Sequence, residues 1–313
     1  MLGDAVRSLK MDSIRQNIVQ TLDSDFDVFA ISSSAWQLLK DNERARILEK
    51  VKAGTGLVMP LRGAPPPDVK EFYPYDFLGY DWAVGKYTLT ADGPPILNAL
   101  PYEAMPTHYY SNGNKFRMGA DGKPLGHTLL RTNFNGADRG AILSTNEVGP
   151  SRFVFAETEG YLVPSYAKFQ PYHVPGGVQL PLYDYWEYHY AMMARLIYWA
   201  AHKESPVTLL KIEGNAGEVK VSLSSQKAES ARIELTVRDK FGEILESRHQ
   251  EVSLKAGEQD LTVAVDPAHA NGAYLADIII KNDKATLAFG AGTFAPAPKA
   301  RVALSFLMMI SAR

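Results

Sequence analysis

Carboxylates set among aromatic rings are the first residues in this chain whose types suggest chemistry. Asp76, Asp81 and Glu103, with His108 and His127, fall in a stretch rich in Pro, Gly and Tyr that includes YPYDFLGYDW and PYEAMPTHYYSNG. One acid, one base or nucleophile and a stacking surface are what glycosidic-bond hydrolysis needs, with the two carboxyl groups about 5–9 Å apart. Trp82, Tyr109, Tyr110 and Trp186 are the rings that would stack on a sugar face. The competing account is structural, since a loop-rich stretch of any protein contains some acids and tyrosines.

Two further candidates lie later in the chain. His173 sits in Phe169-Gln-Pro-Tyr-His-Val-Pro-Gly-Gly177, flanked by prolines and followed by glycines, so it belongs to an ordered loop. A late loop at the edge of an α/β sheet can reach the ligand crevice, and a hydrogen bond to loop backbone is the blander role. Glu187 and His189 lie two apart on a Tyr-rich helical segment and do not share a face, whereas Tyr185 and His189 do. A buried helix carrying Tyr, His and Glu must supply partners for their polar atoms. Seven His residues are scattered without H-x-x-x-H or H-E-x-x-H spacing, and no G-x-G-x-x-G or P-loop occurs. No metal and no cofactor is expected.

The elements that must position these residues change character along the chain. Residues 5–22 show helical spacing of apolar side chains. Phe26–Ile31 reads as a short buried strand, Ala35–Lys52 as one or two helices, and Leu57–Pro60 as a second strand after Gly54 and Gly56. Helix, strand, helix, strand is the rhythm of a doubly wound α/β sheet. Such a domain ordinarily begins with a strand, so its first strand is expected to be missing. Residues 61–135 break the rhythm and read as a long ordered insertion, because its aromatics need somewhere to pack. Gly140–Ser144, Arg152–Glu157 and Gly160–Pro164 are further strand candidates, and Asp184–His202 is the clearest helix.

After Lys203-Glu-Ser-Pro206 the pattern alternates polar and apolar: Ile212–Val221, Ala231–Arg238, Ile244–Val252, Gln259–Val265 and Tyr274–Lys281. Strands with short turns between them predict an antiparallel, immunoglobulin-like β-sandwich of about ninety residues. Phe294–Pro298 reads as an exit linker. The expected architecture is therefore α/β, a doubly wound flavodoxin-like sheet at 1–204 with a loop-rich insertion at about 61–135. An all-β sandwich follows at 205–298, and 299–313 starts a further segment or adds one strand.

Phe26–Ile31, Ala35-Trp-Gln-Leu-Leu39 and Ile47–Val58 resemble the strand–helix units of the class I glutamine amidotransferase-like superfamily, with Gly54 and Gly56 in place of the family's glycine pair. The same pattern is similar to the non-catalytic middle domain of family 42 β-galactosidases, which helps to build a trimer and is also followed by a small β-domain. Tyr185–Ala201 looks like the closing helix of such domains. The resemblance covers about residues 20–203. It implies a flavodoxin-like fold but no glutamine hydrolysis, because the family's nucleophile is a cysteine and this chain has none. Gly140–Ser144 does not restore a nucleophile elbow.

The absence of cysteine also excludes disulfides, Cys-ligated zinc and iron–sulfur clusters. Lys plus Arg is 33 against 35 for Asp plus Glu, a net charge of -2, so nucleic acid is not an expected partner. The amphipathic opening MLGDAVRSLKMDSIRQNIVQ does not read as a signal peptide, and Val302–Ile310 is too short to span a membrane. A soluble chain of unassigned compartment is expected, with a carbohydrate ligand and a homo-oligomer as its expected partners. Three functions compete. The first is a non-catalytic amidotransferase-like unit of a larger, carbohydrate-processing bacterial protein. The second is a glycoside hydrolase using Asp76, Asp81, Glu103, His108, His173 or Glu187. The third is a carbohydrate-binding module using Trp82, Tyr109, Tyr110 and Trp186.

Overall fold

A computed structural model describes residues 24–61, 63–76, 81–83, 86–102, 104–105, 109–111, 115–119, 121–134, 137–156, 186–269 and 272–294, with Ser13, Gln16, Val19, Gln20 and Leu22 near the start. Strand β1 (Val28–Ala30) leads through Ser32, whose hydroxyl accepts the Ala35 N–H, into the short helix α1 (Ser33–Trp36). Helix α2 (Asp41–Lys52) begins where the Lys40 N–H donates to Glu43 Oε2 at 2.8 Å. Asp41 and Glu43 lie in its first turn and Lys50 and Lys52 in its last, matching the helix dipole. Gly54, at φ 124°, turns the chain into β2 (Gly56–Pro60), which is buried at every position, as a strand covered on both faces should be.

The stretch after β2 supplies β3 (Tyr75–Asp76), β4 (Asp81–Ala83), β5 (Lys86–Leu89), a 3-10 turn at Pro95–Leu97, β6 (Tyr109–Ser111), β7 (Lys115–Phe116) and β8 (His127–Phe134). Strands β9 (Ala137–Val148) and β10 (Ser151–Ala156) follow, and helix α3 (Trp186–Ala200) closes this part of the chain. One six-stranded sheet runs β1-β2-β10-β9-β8-β5. Its β1-β2-β10 portion is parallel and flavodoxin-like, and the remainder is antiparallel. The predicted insertion is thus more than a loop assembly, since β5 and β8 lengthen the main sheet. Its aromatics pack under α1 and α2: Phe72 stacks on Phe153 at 4.4 Å, and Tyr73 meets Phe155 edge-on. Helix α3 lies across β2 so closely that a Cβ on Gly56 would sit 2.1 Å from the Ala200 carbonyl.

The second part is the expected immunoglobulin-like sandwich. Strands β11 (Val207–Asn215), β12 (Glu218–Ser225), β13 (Glu229–Arg238), β14 (Ile244–Leu254), β15 (Gly257–Ala264), β16 (Leu275–Lys281) and β17 (Thr286–Thr293) form two antiparallel sheets, β11-β12-β15 and β14-β13-β16-β17. Val219, Val221, Leu223, Ile233, Leu235, Ile278 and Ile280 fill the space between them. Two expectations need correction. Ile212–Val221 is not one strand but the tip of the β11–β12 hairpin, turned by Gly217 at φ 91°. Phe294 is not linker: it is buried, bridges Gly214, and its ring occupies the space where a Cβ of Gly214 would be.

Strand β17 was not foreseen because its Gly and Ala residues carry no β signature. They are small for a steric reason. A Cβ on Gly292 would lie 2.1 Å from the Ile212 carbonyl, and one on Gly290 2.7 Å from the Ala99 carbonyl. The expected helix at 5–22 is helical at Ser13, Gln16, Val19 and Gln20 and ends in a turn at the buried Leu22; its other positions lie outside the described residues, as do Gly160–Pro164 and 299–313. No helix among the described residues is long and apolar enough to cross a membrane.

Candidate functional site

The candidates read from sequence do not converge on one cleft among the described residues. Asp76 ends β3 opposite Lys115, with its side chain 58% exposed and Arg117 Nε 4.0 Å away. Asp81 and Trp82 lie on β4, where register pairs Asp81 with Ser111, Trp82 with Tyr110 and Ala83 with Tyr109. Three of the four proposed stacking residues therefore share one two-stranded ribbon. Trp186 and Glu187 open α3. Glu103, His108 and His173 lie outside the described residues, as do Glu157 and Glu159. His127 begins β8 opposite Thr145.

Of these candidates, Glu187 stands beside a buried polar assembly that joins the two parts of the chain. Tyr188 Oη donates to Asp277 Oδ1 at 2.5 Å, and Arg238 Nε donates to Asp277 Oδ2 at 2.7 Å. Arg238 also donates to the Gly242 carbonyl at 3.0 Å. Asp277 is 8% exposed and both its oxygens are engaged. Burial, reinforced by the Asp277 charge and hydrogen bond, pushes the Tyr188 phenol far above its ordinary value, so it remains a donor. Burial also raises the half-buried Glu187 carboxyl; the Asp277 charge adds to this and Arg238 opposes it. Glu187 Oε2 has no hydrogen-bond partner among the described residues.

A second clasp lies further along the same helix. Arg195 donates to the Asn98 carbonyl at 2.6 Å, to the Ile96 carbonyl at 3.3 Å, and to the carbonyl of Phe289 on β17. The Ala291 N–H donates to the Ala99 carbonyl at 2.9 Å, with Ala99 held at φ 53°. The Tyr188 ring stacks on Phe289, and Leu275 and Ala291 of the sandwich share a core with Met192 and Leu196 of α3. Asp277 and Arg195 each have partners from both parts of the chain. That arrangement holds a joint together.

A separate crevice lies between α2 and the proline segment that follows β2. α1 follows the end of β1 and Asp68 follows the end of β2, and the two meet where Trp36 Nε1 donates to both Asp68 oxygens at 3.0 and 3.1 Å. Arg44 of α2 approaches Asp68 at 2.9 Å and donates to the Leu39 carbonyl at 2.8 Å and to Asp41. The cavity holds about 550 Å³. A smaller one of about 370 Å³ lies between Phe72, Asn146 and Lys123. No group of three or more His, Asp and Glu among the described residues is placed to hold a metal.

Sequence reasoning missed Asp68, Asp277, Arg195 and Arg238. The signals were a lone acid in the apolar run Leu275-Ala-Asp-Ile-Ile-Ile280, a lone Arg in the apolar stretch from Tyr188 to Ala201, and an Asp closing three prolines. Buried charges in such settings are paired.

No protein-family profile matches the sequence, and no curated protein matches it. Solved structures do. A β-galactosidase from Bacillus circulans sp. alkalophilus is 11% identical, with 77% of this chain and 34% of that one covered and a TM-score of 0.32. A GH42 β-galactosidase from G. stearothermophilus is 11% identical over 77% of this chain and 32% of its own, with a TM-score of 0.33. A third, from Rahnella sp. R3, is 12% identical over 78% and 34%, with a TM-score of 0.33. The chain spans about a third of the length of these enzymes. Likeness at this level concerns the course of the backbone and assigns no residue.

Proposed function

We propose that the chain is a non-catalytic, amidotransferase-like structural or accessory unit of a larger carbohydrate-processing protein. The observation that carries this is the joint. Burying a carboxylate costs several kcal/mol unless it is fully paired. Here Asp277 pairs with Arg238 inside the sandwich and accepts Tyr188 from the other part of the chain, so part of that cost is met by a contact that fixes one part against the other. A two-domain block of fixed geometry is what a scaffold must supply. The amidotransferase-like reading and the carbohydrate setting are carried over from the sequence resemblance at Phe26–Ile31 and Ile47–Val58, and the lack of cysteine removes that family's nucleophile. Self-association belongs to the same proposal: β1 is an edge of the six-stranded sheet among the described residues, and an edge invites pairing.

Glu187 favours the second reading, a glycoside hydrolase. A carboxyl held up by burial is what a general acid requires. Assay of the purified chain against a panel of aryl glycosides separates the two. The scaffold reading expects the rate of the buffer blank for the parent and for Glu187→Gln alike. A rate in the parent that disappears in Glu187→Gln or Asp76→Asn, with folding unchanged, establishes the hydrolase instead.

A further inference from the structure

We propose that the crevice between α2 and the proline segment after β2 is a binding subsite for a neutral saccharide ring. The chemistry follows from what its polar groups have left to give. A guanidinium has five N–H donors. Arg44 donates one to the Leu39 carbonyl and one to Asp41, and its Nε pairs with Asp68, which fixes the fork in place and leaves the second N–H of each terminal nitrogen for a ligand. Asp41 is 97% exposed and keeps acceptor capacity beside that fork, and Gln37 adds an amide at the same rim. Donor and acceptor therefore stand side by side, as a vicinal diol requires: one hydroxyl accepts from Arg44 while its neighbour donates to Asp41.

Charge narrows the class further. Two carboxylates against one guanidinium leave the crevice at net negative one, which disfavours phosphates and carboxylates. A cation would meet the Arg44 charge already lying within ion-pair distance of both acids. A neutral polyol has neither difficulty. Pro66, Pro67 and Leu48 supply an apolar wall for the C–H face of a ring, and about 550 Å³ falls in the range of small-molecule sites. The site uses none of the residues of the joint, so it stands independently of the scaffold reading.

Trp36 provides the reporter, because its indole N–H is bonded to Asp68 at the floor of the crevice. The ¹⁵N-labelled full chain is titrated with D-galactose and with D-glucose, using glycerol and sodium acetate as controls. A saturable shift of the Trp36 indole resonance is expected with at least one hexose, at low-millimolar affinity. Ala45→Arg fills the crevice from an exposed helix position and should abolish that shift while leaving the rest of the spectrum unchanged. Arg44→Gln should weaken binding by about tenfold or more. Three results overturn the proposal: no saturable Trp36 shift with either hexose, an equal response to glycerol or acetate, or an undiminished shift in Ala45→Arg.

Discussion

Removing the carboxylate of Asp277 should cost more than the Tyr188 hydrogen bond alone, and the excess can be worked out from what is left behind. Asp277→Ala removes the carboxylate from the Tyr188 hydroxyl, which is fully buried, and from the Arg238 guanidinium, which keeps the Gly242 carbonyl, is 24% exposed along its side chain and can partly rehydrate. An abandoned buried partner costs about 1–3 kcal/mol, and breaking a buried pair about 3–5 kcal/mol. Rehydration of Arg238 places the sum toward the lower end, at about 3 kcal/mol. Tyr188→Phe removes one hydrogen bond to a charged group and should cost about 2 kcal/mol. Once Asp277 is Ala, the bond to its carboxylate is already gone, so Tyr188→Phe should then cost less. A double-mutant cycle read by urea unfolding should return a coupling of about 2 kcal/mol. Coupling within about 0.5 kcal/mol of zero is the value for independent sites and would refute the account of the joint.

Other outcomes follow from the same geometry. Glu187 binds its proton more tightly in the folded chain than in the unfolded one, so its stabilisation is full below the ordinary carboxylate range and is lost as pH rises through its raised value. Glu187→Gln should therefore gain on the parent in urea midpoint as pH rises, and a gap independent of pH speaks against the assignment. Gly290→Ala presses a methyl group against the Ala99 carbonyl and Leu209 and should cost about 1–3 kcal/mol in thermal unfolding. Ala99→Gly relieves a left-handed backbone and should gain about 1 kcal/mol, and a loss there would mean that the strain is not real. Light scattering should show a mass above the monomer that rises with concentration, and a concentration-independent monomer mass removes the oligomer.

Period and punctuation carried most of the architecture. Val28–Ala30 and Gly56–Pro60 are short apolar runs bounded by a serine cap and by Gly54, and their parallel pairing follows from the helices between them. The sandwich strands alternate visibly wherever one face meets water, as in Ile233-Glu-Leu-Thr-Val-Arg238. Strand β17 was illegible because its glycines answer to Ala99 and Ile212, contacts that lie far away in sequence. The same holds for the polar residues. That Asp277 must be paired was readable from its apolar neighbours, but the identity of the partners, 89 and 39 positions away, is a product of the fold. Trp82 and Tyr110 were recognised as rings of one kind, and only the strand register set them opposite each other.

The bond from Ala291 to Ala99 has a consequence for how the chain is made. Emerging from the ribosome, the turn at Pro95–Ala99 is complete long before β17 exists to receive it. The outer rim of β17 is thus met, as it forms, by a backbone acceptor already in place, beside the parallel bridge between Gly214 and Phe294. Cut away from residues 1–204, the sandwich would lose the Ala99 acceptor and keep only β11 beside that rim, a strip of small residues with little side-chain bulk to keep other strands off. The first part of the chain acts toward the second as a resident chaperone for one strand, and the sandwich expressed alone should be prone to clumping where the intact chain is not.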